Sequence, residues 1–151
     1  MQKITPFLWF DGRAEEAINF YLSVFKDSKI VTANRHEDGS LFVGSFEIEG
    51  QKFLALNGGP EFKFNEAISF LIDCKTQEEV DYFWEKLSVG GEKSQCGWLK
   101  DKFGVSWQVV PDALSELMGA ADPVKSQRVM DALMQMTKID IAGLQRAYDG
   151  G

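Results

Sequence analysis

Between Ile4 and Pro111 the spacing of apolar residues switches from a two-residue period to a three-and-four-residue period and back, and it does so twice in the same order. Ile4 to Phe10 is a short aromatic run that stops at Asp11-Gly12, the pattern of a strand entering a turn. From Ala14 onward Ala17, Ile18, Tyr21, Leu22 and Phe25 follow at helical spacing, with Glu15, Glu16 and Asn19 on the opposite face. Ser28 to Arg35 reads as a strand, and Asp38-Gly39 turns the chain into Leu41 to Glu49, where Phe42, Gly44, Phe46 and Ile48 alternate. Glu49-Gly50 turns it again, and Gln51 to Leu56 returns as a strand ending at Asn57-Gly58-Gly59-Pro60.

The second half repeats this order more briefly. Ala67 to Cys74 reads as a strand, and Thr76 is placed to cap a helix running to about Leu87, with Glu79 completing a capping box. Glu92 to Gln95, Trp98 to Lys100 and Ser106 to Val110 read as short strands before Pro111. An offset of about 63 residues lays Phe7 and Leu8 on Phe70 and Leu71, Glu15 and Glu16 on Glu78 and Glu79, and Phe20 on Phe83. The expected architecture is α+β: paired βαβββ modules over residues 1–65 and 66–111, forming a curved mixed sheet around a cavity. Residues 112–151 form a helical extension, with helices expected over Ala113 to Ala120, Pro123 to Met136 and Asp140 to Tyr148.

Charge narrows the range of partners. A formal net charge of -7 and a pI near 4.7 oppose binding to phosphate backbones and anionic lipid, so neither nucleic acid nor membrane is an expected partner. The opening apolar run is broken by Thr5 and Pro6 and is too short for a spanning or secretory segment, which makes a cytoplasmic location the expectation. Cys74 and Cys96 form neither a CxxC pair nor a zinc-like spacing with His36, the single histidine, and read as free thiols.

Several segments together resemble a known family. They are Ile4-Thr5-Pro6-Phe7-Leu8-Trp9-Phe10 with Asp11-Gly12, the Glu15-Glu16-Ala17 and Asn19-Phe20-Tyr21 helix, and Asn57-Gly58-Gly59-Pro60. Cys96-Gly97-Trp98 through Asp101, Phe103-Gly104, Trp107-Gln108, Ser126-Gln127-Arg128-Val129-Met130 and Lys138-Ile139-Asp140-Ile141 complete the set. The chain is similar to the vicinal oxygen chelate superfamily of glyoxalases, extradiol dioxygenases and bleomycin-resistance proteins, and within it to the PhnB-like branch called demethylubiquinone methyltransferase-like. The resemblance implies a divalent metal held by His, Glu or Tyr from the first and last strands of each module. The matching positions here are Thr5, Ala67 or Ile68, Leu54 (Phe53 if the register slips by one) and Gln108, none of which is a good ligand. No metal and no cofactor are therefore expected. The G-x-G-x-x-G turn of a dinucleotide-type cofactor site is also missing, which argues against S-adenosylmethionine.

What the resemblance leaves is an aromatic pocket with a few polar groups: Thr5, Phe7, Trp9, Phe53, Cys96, Trp98, Trp107 and Gln108. Gln108 is notable because a buried amide in an apolar strand needs hydrogen-bond partners. The expected function is small-molecule binding with a degenerate metal site. A metal-dependent isomerase, lyase or dioxygenase, and a structural or regulatory dimer with a vestigial pocket, are the alternatives. Open sheet edges and the apolar face of Val129, Met130, Leu133 and Met134 point to a homodimer.

Overall fold

Each module folds into a four-stranded mixed sheet with one helix on one face. The computed structural model describes residues 2–119 and 121–150. In the first module β1 (Phe7–Phe10), α1 (Ala14–Val24), β2 (Ser28–Arg35), β3 (Leu41–Ile48) and β4 (Gln51–Asn57) give the strand order β1-β4-β3-β2. In the second, β5 (Ser69–Cys74), α2 (Gln77–Leu87), β6 (Glu92–Lys93), β7 (Trp98–Lys100) and β8 (Ser106–Pro111) give the equivalent order β5-β8-β7-β6. In both sheets the first strand runs parallel to the last and the other pairs are antiparallel. The chain divides into two compact units between Lys63 and Phe64.

The faces of the first sheet follow from period-two alternation. Leu8, Phe10, Phe46, Phe53 and Ala55 are buried, as are Ala14, Ala17, Ile18, Tyr21 and Val24 of α1. Phe46 stacks between Tyr21 and Phe53, with centroids 6.2 and 5.4 Å away. Asn57 ties the layers together: its Oδ1 accepts from the Ala14 N–H at 2.8 Å, capping α1, while its Nδ2 donates to Leu41 O at 2.9 Å. In the second unit Leu99, Trp107, Val109 and Cys74 form the buried face together with Val80, Trp84 and Leu87 of α2. Thr76 caps α2 as its sequence suggests, accepting from Glu79 N at 3.2 Å; Glu79 reaches back to the N–H of Lys75 at 2.6 Å.

The repeat needs one correction. The helices superpose at an offset of 63, since buried Ala17, Tyr21 and Val24 fall on buried Val80, Trp84 and Leu87. At that offset, however, buried Leu8 falls on Leu71, which is 51% exposed. The strands match at one residue fewer, Leu8 with Phe70 and Phe10 with Ile72, because a one-residue slip inverts every side chain of a strand.

Residues after Pro111 form α3 (Asp112–Met118), α4 (Pro123–Leu133) and α5 (Ile141–Asp149), within the same compact unit as the second module. Ala120, assigned by its sequence to the first of these helices, lies outside the described residues. Val129, Leu133, Ile139 and Leu144 make a buried cluster against Cys96, Val110 and Met136. The middle helix stops at Leu133 and not at Met136. Two carbonyls beyond it, those of Met136 and Thr137, accept the N–H groups of Cys96 and Gly97, each at 2.8 Å. Gln77 of α2 clamps the same stretch, donating to Ile139 O at 3.1 Å and accepting from Ile141 N at 2.8 Å.

Cys74 is fully buried at the end of β5, and burial, aided by the charges of Glu79, Asp73 and Asp112, pushes its thiol up to about 12 from an ordinary 9.0. Below pH 9 the thiol is protonated in both folded and unfolded chains. Above it only the unfolded chain ionises, so stability should fall by about 1.4 kcal/mol per pH unit from about pH 9 toward 12. In the native protein at pH 8 a thiol reagent should label half-buried Cys96 and leave Cys74 until the chain unfolds. Two thiols reacting at equal rates would contradict this.

Candidate functional site

Each sheet has a second face, turned away from its helix, and the candidate residues divide between the two faces. In the first unit Phe7 and Trp9 lie opposite buried Leu8 and Phe10, and Leu54, paired with Phe7, shares their side. Phe7 is 53% exposed. Trp9 is anchored: its Nε1 donates to Gly59 O at 2.9 Å, and Phe62 meets its ring edge-on at 5.0 Å. Gly58 is required there because a Cβ would stand 2.4 Å from the indole. Thr5 precedes β1, which begins only after Pro6. Phe53 belongs elsewhere: it is buried on the helix-covered face, against Phe46.

In the second unit Trp98 pairs with Gln108, and Lys100 and Ser69 both pair with Ser106, which places all five side chains on the face away from α2. Gln108 Nε2 donates to Ser69 Oγ at 2.9 Å. Trp107 alternates to the other face. It is buried, and its Nε1 donates to Asp101 Oδ2 at 2.9 Å. Cys96, at φ +60°, sits where the tail joins the sheet, with its Sγ 3.6 Å from Leu133 O.

Beside Trp98 opens a cavity of about 470 Å³, lined among others by Glu66, Glu92, Cys96, Lys100 and Ser106. Lys100 Nζ meets Glu66 Oε1 at 3.1 Å, and the ammonium holds the Glu66 carboxyl below the usual carboxylate range. Ser106 is 1% exposed, and its Oγ has no hydrogen-bond partner among the described residues. The sequence reading overlooked Lys100, Ser106, Ser69 and Glu66. The first two stand two residues from Trp98 and Gln108 on their own strands, so period-two spacing could have found them.

The donor chemistry does not fit a catalytic divalent metal. Leu54 and not Phe53 is on the open face, and Ala67 and Ile68 fall in a turn before β5. With Thr5 and Gln108 the set offers no charged or imidazole donor. Among the described residues no group of three or more His, Cys, Asp or Glu side chains could hold an ion. His36 stands beside the Phe42 ring at 5.1 Å.

The sequence model of the 3-demethylubiquinone-9 3-methyltransferase family matches residues 2–110, leaving the helical tail outside the match. The PhnB protein of Bacillus cereus is 38% identical, with 73% of this chain and 99% of that one covered at a TM-score of 0.69. A mutant of the fosfomycin resistance protein FosX of Listeria monocytogenes, solved with Mn(II) and a dihydroxypropylphosphonic acid, is 16% identical over 72% of this chain and 92% of that one, with a TM-score of 0.56. A glyoxalase-related enzyme from Fulvimarina pelagi is 10% identical over 75% and 91%, with a TM-score of 0.50. The last two share the fold. No curated protein matches.

Proposed function

The chain belongs to the 3-demethylubiquinone-9 3-methyltransferase (PhnB) family and has the glyoxalase and bleomycin-resistance fold, and from that premise we propose that it binds a small planar molecule without transforming it. One observation carries the reading: a cavity walled by Trp98 has a buried hydroxyl, Ser106 Oγ, with no partner among the described residues, and a buried polar group is ordinarily satisfied. Leu54 and Gln108 on the open faces, and Thr5 just before β1, stand at positions where the superfamily resemblance implies metal ligands, which favours binding over metal-assisted chemistry. Methyl transfer draws no support from the glycine-poor turn Asp11-Gly12-Arg13 between β1 and α1.

A homodimer acting in the cytoplasm is part of this proposal. Its support is β2, an eight-residue edge strand exposed along nearly all its length, with Ile30 and Val31 44% and 49% exposed. Among the described residues no helix is long and apolar enough to cross a membrane.

A thermal-shift screen of planar metabolites and divalent metals tests the reading, because a ligand of the native state alone raises the melting temperature. The expected result is stabilisation by planar compounds recovered unchanged after incubation, with no stoichiometric metal by elemental analysis. Light scattering should give the mass of two chains. Turnover of a stabilising compound, or one firmly held metal per chain, would overturn the binding reading, and a mass near one chain would overturn the dimer.

A further inference from the structure

We propose that the second-unit cavity is a site for a flat monocarboxylate, and that Glu66 occupies the carboxylate position from within the chain. The proposal rests on the binding reading above and deepens it by naming the ligand's charge and shape. Lys100 and Ser106 are paired across the β7–β8 ladder, so a lysine and a serine side chain share one side of the sheet and line the same cavity. Lys100 already holds a carboxylate, that of Glu66 at 3.1 Å, but both partners are open to water, with side chains 34% and 63% exposed. Such a pair is weak and readily exchanged. Ser106 Oγ receives nothing from it and has no partner among the described residues.

A ligand carboxylate has two oxygens and can do what one Glu66 oxygen does not. One oxygen takes the Lys100 Nζ–H, and the other accepts from Ser106 Oγ–H, replacing an unmet buried group with a charge-assisted bond. Trp98, two residues from Lys100 on β7, presents its ring on the same face and suits a flat apolar group beside that carboxylate. Glu92, paired with Lys100 across β6–β7, adds a negative charge that disfavours a second anionic group.

Benzoate is the probe, with benzyl alcohol and benzylamine as neutral and cationic counterparts, read by the Trp98 indole N–H resonance in titrations of the whole chain. Benzoate should shift that resonance saturably. Glu66→Ala should tighten benzoate about three- to tenfold by removing the competitor, and Lys100→Met should weaken it at least about tenfold. Ser106→Ala should weaken benzoate about fivefold while the free protein melts no lower than the wild type, since no existing bond is lost. Melting several degrees lower in Ser106→Ala, or benzoate affinity unchanged in Glu66→Ala, would overturn the assignment. If benzyl alcohol or benzylamine moves Trp98 and benzoate does not, the carboxylate site falls and the binding reading stands. If none of the three binds either the wild type or Glu66→Ala, the carboxylate site falls, and the wider metabolite screen separately decides the binding reading.

Discussion

Replacing Asp101 by alanine should destabilise the protein by about 3 kcal/mol in urea unfolding, because three donors lose one buried acceptor. Asp101 is 2% exposed. Its Oδ1 accepts from Phe103 N at 2.9 Å and Val105 N at 3.0 Å, closing the turn between β7 and β8, and its Oδ2 accepts from Trp107 Nε1 at 2.9 Å. Alanine leaves two backbone N–H groups and an indole N–H without this carboxylate, those of Val105 and Trp107 buried and that of Phe103 part-buried. Asparagine separates the contributions. It keeps an oxygen for the two backbone donors but turns an amide NH2 toward Trp107, so a loss of about 1–2 kcal/mol is expected. An alanine variant within about 1 kcal/mol of wild type would show that the turn rearranges at little cost. The same bond satisfies the indole N–H of Trp107 on the buried face where strand register places it.

Gly97→Ala should cost about 3 kcal/mol and loosen the helical tail, because two effects add at one position. Gly97 has φ +83°, and a Cβ there would stand 2.8 Å from both Val109 O and Ile139 Cδ1. Its N–H donates to Thr137 O and its carbonyl accepts from Val109 N, each at 2.8 Å, so the residue joins sheet to tail and cannot move to relieve the clash. Gly104, at φ +88° with nothing within 4 Å of a built Cβ, is the control. Gly104→Ala carries the conformational cost alone, about 1 kcal/mol. Hydrogen exchange in α4 and α5 should quicken in Gly97→Ala and stay unchanged in Gly104→Ala. Equal losses in the two variants would mean that contact with the tail contributes nothing.

The amino-acid sequence by itself determined the order of elements in both modules and most of their bounds. Hydrophobic periodicity is a local property, and the switch between two- and three-to-four-residue spacing survives in a single chain. It also supplied the Thr76 cap, the loop after β4, which begins at Gly58 and not at Asn57, and the family resemblance, each written in contiguous residues. Tertiary structure alone decided which strand face each aromatic residue occupies. Phe53 and Trp107 look like Trp9 and Trp98 in composition, but one residue of register moves a side chain to the other side of the sheet, and register is set by the neighbouring strand. The same holds for the end of α4, where the Cys96 and Gly97 N–H groups take carbonyls beyond Leu133. Lys100, Ser106 and Glu66 are ordinary polar residues in a linear reading. They become a candidate site only because a strand pair and a turn bring an ammonium, a buried hydroxyl and a carboxylate to one cavity: period-two spacing marks the strand face of Lys100 and Ser106, but their pairing across strands and the approach of Glu66 are tertiary.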